Sequence, residues 1–157
     1  MAFSRRGYRT AASIGAFVAF ILVLIFGSPW YRDWVDDANR GLLLETLAWP
    51  AWWIDDDVPL RDLVAASLKA ILLVVFTFGF ITLMAGSQLS RARGGVAAFL
   101  AGWASYIFAA ALAALITAAI YTDPGPGGAV VIATTGSSYG LITGWIIGLA
   151  SMAGRRP

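Results

Sequence analysis

The chain has 157 residues, the length of one domain, but 59% are hydrophobic, only 13% are charged and the mean hydropathy is +0.76. So few charges cannot cover a water-facing surface, which excludes an ordinary soluble domain, a disordered chain and a nucleic-acid-binding tail. With neither cysteine nor histidine there is no disulfide, no thiol chemistry and no His- or Cys-based metal site.

A bilayer core of about 30 Å needs roughly 20 apolar residues as helix. Four stretches of the chain meet that length, and they predict spans near 11–30, 62–86, 95–121 and 129–152 in a single membrane domain covering 1–157. Backbone in lipid must satisfy its own hydrogen bonds, and no ten-residue alternation suggests barrel strands, so the expected fold class is an all-α integral membrane protein, a four-transmembrane-helix bundle.

Before the first span stand Arg5, Arg6 and Arg9. Ser4-Arg5-Arg6-Gly7-Tyr8 resembles the opening of a twin-arginine signal, but Gly27-Ser28-Pro29-Trp30 is not an A-x-A cleavage site, so a retained helix is the reading adopted. Pro29 is expected to end this helix. The segment 31–61 is acidic and rich in tryptophan. Trp34, Ala38 and Leu42 lie near helical spacing, which predicts a short interfacial helix between Trp34 and Trp49, stopped by Pro50. Trp49, Trp52 and Trp53 are expected as anchors at headgroup level. Asp55-Asp56-Asp57 read as the start of the second span, with Asp57 as N-cap; neighbouring carboxylates at a helix start cannot all reach one ion, so no metal site is expected.

Lys69 is the one ionisable residue inside a span. It follows Asp62 by seven residues, about 10 Å of helix, which sets it in the outer half of the bilayer. Its long stem can snorkel to the outer headgroups. Alternatively it joins the hydroxyls of Thr134, Thr135, Ser137, Ser138 and Tyr139, at similar depth in the fourth span, in a polar intramembrane site.

Spans three and four are linked by Thr122-Asp123-Pro124-Gly125-Pro126-Gly127-Gly128, a helix-breaking turn that predicts a hairpin. Along the fourth span Gly136, Gly140, Gly144 and Gly148 form a ridge at four-residue spacing, which permits close backbone approach. The third span offers a small-residue face of Ala98, Gly102, Ser105, Ala109 and Ala113. The ridge packs either on that face or on another copy or partner subunit. Gly136-Ser137-Ser138-Tyr139-Gly140 matches G-x-S-x-G, but it lies in a helix and no histidine exists to activate the serine.

Charge placement orients the chain. Arg5, Arg6, Arg9, Arg91, Arg93, Arg155 and Arg156 fall on one side with no acid, whereas Arg32, Arg40 and Arg61 share the other side with all nine carboxylates. The positive-inside rule then predicts both termini in the cytoplasm. Arginine-, alanine- and glycine-rich usage points to a bacterial inner membrane. The expected function is that of a non-enzymatic accessory, assembly or stabilising subunit of a larger membrane complex. The alternative is a small self-associating transporter or channel that uses the polar site. Membrane lipids, a further membrane protein or further copies are the expected partners, with no nucleic acid and no cofactor.

Overall fold

The computed structural model describes residues 3–37, 41–52, 59–86, 95–121 and 125–153. They form six helices: α1 (Phe3–Phe26), α2 (Pro29–Asp36), α3 (Leu42–Leu47), α4 (Leu60–Gly86), α5 (Gly95–Tyr121) and α6 (Pro126–Ala153). Three of them, α4, α5 and α6, are individually long and apolar enough to cross a membrane; α1 and α2 add a fourth candidate if that bent pair is one span. Among the described residues the regular structure is therefore all helical, and the chain has the make-up of a multi-pass membrane protein.

The first predicted span is corrected by its proline. Pro29 does not end α1; it opens α2, with Ser28 as the N-cap whose side chain accepts from the Tyr31 N–H at 3.3 Å. Proline suits a first helical turn because its missing N–H would have no intrahelical partner there. The two helix axes meet at 51°. The predicted interfacial helix over Trp34–Trp49 is likewise corrected. Trp34 belongs to α2, and only Leu42–Leu47 forms a later helix, preceded by Gly41 at φ +91°. That left-handed value is incompatible with a right-handed helix passing through the residue.

The long helices pack as a closed square, α1 on α4, α4 on α5, α5 on α6 and α6 back on α1, with α5 and α6 sharing the most extensive interface. Apart from a few large side chains such as Tyr106, Tyr139, Leu73 and Ile147, small residues lie inside and large ones outside. On α5, Ala98, Ser105, Ala109, Ala110 and Ala113 are buried while Leu100, Phe108 and Ile120 are exposed. Lipid is as apolar as leucine, so nothing drives bulky side chains inward, and close backbone approach dominates the packing.

The glycine ridge lies against α5. A Cβ added at Gly136 would meet the Ala110 carbonyl at 2.5 Å, one at Gly140 the Ile107 Cα at 2.6 Å, one at Gly144 Trp103 at 2.6 Å and one at Gly148 Phe99 at 2.8 Å. The facing row on α5 is thus Phe99, Trp103, Tyr106–Ile107, Ala110 and Ala114, one position on from the predicted Ala98, Gly102, Ser105 and Ala109. Of those four, Gly102 does meet α6, at Gly148 and Ser151. Ala98, Ser105 and Ala109 are buried as well, because α5 carries small residues on two adjoining faces and packs on both α6 and α4.

Candidate functional site

The bend at Ser28 turns the chain back over the bundle. Tyr31 Oη donates to the Leu44 carbonyl at 3.4 Å, joining α2 to α3. Trp52 Nε1 donates to the Val23 carbonyl at 3.1 Å, and the Trp52 N–H donates to the Gly27 carbonyl at 3.3 Å. These bonds fix α2, α3 and residues 48–52 over one end of α4 and α6. Between them lies a cleft of about 780 Å³.

Its walls combine four charged side chains with hydroxyls. Arg32, Asp36 and Glu45 come from the overlying segment, Lys69 from α4, and Thr134, Thr135 and Ser138 from α6. Arg32 Nε stands 3.9 Å from Asp36 Oδ2, a loose i,i+4 pair with both side chains more than half exposed. Lys69 is half-buried, and its Nζ lies 4.9 Å from the centroid of the Trp49 ring. Among the described residues no carboxylate is within ion-pair distance of Lys69 and no acceptor hydrogen-bonds it. A lysine at mid-span costs about 2.5–3.5 kcal/mol. A desolvated cation over a tryptophan face recovers roughly 2 kcal/mol, yet a π-face does not replace the three acceptors the ammonium had in water.

The cleft brings together Lys69, Thr134, Thr135 and Ser138 but not Tyr139. The hydroxyls are each bonded to their own helix: Thr134 donates to the Val130 carbonyl at 2.8 Å, Thr135 to Val131 at 3.0 Å and Ser138 to Thr134 at 2.9 Å. Each hydroxyl thus lines the cleft with its proton on a local carbonyl, a bond it can exchange for a ligand acceptor. Tyr139 is instead fully buried, and its hydroxyl lies 3.0 Å from that of Tyr106. The assignment of Tyr139 to the polar patch is therefore corrected. It belongs to the buried stripe of α6 together with Gly136, Gly140, Thr143, Gly144 and Ile147.

Two of the predicted headgroup anchors also turn inward. Trp49 stacks on Tyr139, with ring centroids 5.1 Å apart and an interplanar angle of 29°, and so closes the bottom of the cleft. Trp52 packs against α1 and α4. Trp53 and Asp55–Asp57 lie outside the described residues.

Sequence reasoning missed Arg32, Asp36, Glu45, Trp49 and Tyr106 as parts of this arrangement. The α6 stripe was open to reading, since Tyr139 and Thr143 continue the glycine row at spacings of three and four. The seating of Trp49 on a residue ninety positions away left no local signal. Beneath the Trp49–Tyr139–Tyr106 stack the bundle is filled by Leu73, Thr77, Thr143 and Ile147, all buried, and Thr77 and Thr143 donate to their own helices at 2.6 and 2.8 Å.

A cleft of this kind can bind a ligand between a half-buried cation and a hydroxyl-lined wall, and the packed core below it separates it from the other end of the bundle. In comparisons with known proteins, no family model, curated protein or solved structure matches this chain, so its chemistry is read from these residues alone.

Proposed function

We propose that the chain is a four-span protein of a bacterial cytoplasmic membrane, with both termini in the cytoplasm and the acidic segment 31–61 outside. We further propose that it serves as a non-enzymatic accessory, assembly or stabilising subunit of a larger membrane complex. The orientation is supported by the segregation of seven acid-free arginines from nine carboxylates. The four-span count takes the bent α1–α2 pair as one crossing, made by α1, from which α2 emerges on the outer face.

The observation that carries the functional reading is the folded outer segment. Hydrogen bonds from Tyr31 and Trp52 hold it to the chain, so Arg32, Asp36 and Glu45 are displayed at fixed positions around a cleft. Fixed polar groups on a rigid support favour recognition. The second reading, transport, is favoured by the half-buried lysine, Lys69, within that cleft. Because the interior of one chain is packed, conduction would require a path between copies.

Purification of the tagged protein from its native membranes in a mild detergent, with mass spectrometry of what accompanies it, tests the choice. A stoichiometric membrane partner is expected. A homo-oligomer without a partner, together with a flux that Lys69→Met abolishes, would replace the subunit reading by transport.

A further inference from the structure

We propose that the cleft around Lys69 binds a phosphate group, carried by a phospholipid headgroup or by a soluble phosphoester. The proposal rests on the cleft facing the outer side of a membrane-spanning bundle, and not on any protein partner.

The first ground is an unanswered charge. Lys69 is half-buried in a span and lines the cleft, and among the described residues its ammonium has the Trp49 face beside it but no carboxylate at ion-pair distance. Arg32, the second cation lining the cleft, is held by Asp36 no closer than 3.9 Å, so its planar fork is free to turn to a better acceptor. The two cations approach from different elements, α2 and α4. An anion with several oxygens directed apart answers both, as phosphate does.

The second ground is the wall opposite. Thr134, Thr135 and Ser138 donate only to carbonyls one turn back on α6. Such local bonds exchange readily, so each hydroxyl can swing its proton to a phosphate oxygen. The third is size and amphiphilicity. A volume of about 780 Å³ lies within the range of small-molecule sites. Val130 and Val131, exposed on the same α6 face, give an alkyl chain an apolar surface beside the hydroxyls. Glu45, on the overlying segment, lies where an amine or hydroxyl of the headgroup would donate.

The test uses the full chain in maltoside micelles with three probes: inorganic phosphate, dihexanoyl phosphatidylglycerol and dihexanoylglycerol, which has the same chains without phosphate. Binding is read as a saturable rise in Tm and as retained ligand in native mass spectra. Phosphatidylglycerol is expected to bind and dihexanoylglycerol not to. Lys69→Met should weaken binding roughly 10- to 100-fold, the worth of a charge-assisted hydrogen bond, while Lys69→Arg retains most of it. Response to the lipid alone assigns the phosphate to a headgroup, and response to inorganic phosphate alone assigns it to a soluble phosphoester. If Lys69→Met fails to fold, the Thr134→Val/Ser138→Ala variant is measured instead and should bind several-fold more weakly. Equal response to phosphatidylglycerol and dihexanoylglycerol, wild-type affinity in the Lys69 variant, or no phosphate probe binding the wild type overturns the proposal. So does binding that appears only when Asp55, Asp56 and Asp57 are changed to Asn, because Lys69 would then have its counter-ion within the chain. None of these results depends on a protein partner, so failure here is distinct from failure of the subunit reading.

Discussion

Tyr106 and Tyr139 show how a polar group is kept in an apolar bundle. Both are fully buried, and each hydroxyl has the other as a partner at 3.0 Å. Replacing one by Phe leaves the other's hydroxyl desolvated with its main partner gone, at a cost of about 1–3 kcal/mol. Replacing both removes the need along with the bond. Unfolding measurements in detergent on Tyr106→Phe, Tyr139→Phe and the double variant should therefore give a double-variant loss smaller than the sum of the single losses, by about 1 kcal/mol. Strict additivity would mean the hydroxyls are satisfied elsewhere. The same residues mark a limit on what sequence reveals. A tyrosine hydroxyl beside Ser138 and Thr135 reads as one more member of a polar patch. Its place on the α6 circumference, in line with Gly136 and Thr143, decides otherwise and turns it to the core. Lys69 was legible as an anomaly because a single charge in an apolar run is costly wherever it points. Its seat against Trp49 was not, since that contact depends on how α2, α3 and residues 48–52 fold back.

At the scale of elements, α5 and α6 are joined by backbone proximity. A Cβ at Gly140 would fall 2.6 Å from the Ile107 Cα, so even alanine there forces the two helices apart. At Gly79 nothing lies within 4 Å of the added carbon. Gly140→Ala should thus destabilise the protein by about 1–3 kcal/mol through overpacking. Gly79→Ala should be neutral or stabilising by up to about 1 kcal/mol, since alanine restricts the unfolded chain and favours helix. Thermal unfolding of the pair in one detergent checks both, and equal effects would contradict the packing account. The four-residue glycine period announced a close approach. The facing row on α5 could not be read in the same way, because that helix has small residues toward both α4 and α6. A related element-level test concerns the fold-back. Trp52→Phe removes the bond to the Val23 carbonyl, worth about 0.5–1.5 kcal/mol. Faster amide exchange should follow in residues 41–52, with α5 and α6 unchanged. Protection unchanged at Trp49–Trp52 would show that packing alone holds the segment.

At the scale of the whole molecule, membrane-spanning length was the plainest message of the sequence, since about 20 apolar residues at 1.5 Å each match the hydrocarbon thickness. The break in the first span was the least plain, because a proline after Gly-Ser can close one helix or open the next, and here it opens α2 at 51° to α1. That bend makes the first crossing the decisive one. Helices α4, α5 and α6 put residues 59 and 153 on opposite faces whatever α1 does. Only a crossing by α1 and α2 puts residue 37 on the face opposite the N-terminus, and so returns both termini to one side. The chain contains no cysteine, so single cysteines report location without background. Asp37 is exposed and lies just past α2, which makes Asp37→Cys a suitable outer probe, paired with Ala2→Cys and with a cysteine appended after Pro157. A membrane-impermeant maleimide on intact cells should label the Asp37 variant alone, and the other two only after permeabilisation. Labelling of residues 2 and 37 on the same face would make α1 and α2 a re-entrant pair. The Lys69 cleft would then keep its residues, but the arginines before α1 would no longer be cytoplasmic, and the acidic segment would no longer be the face that distinguishes outside from inside.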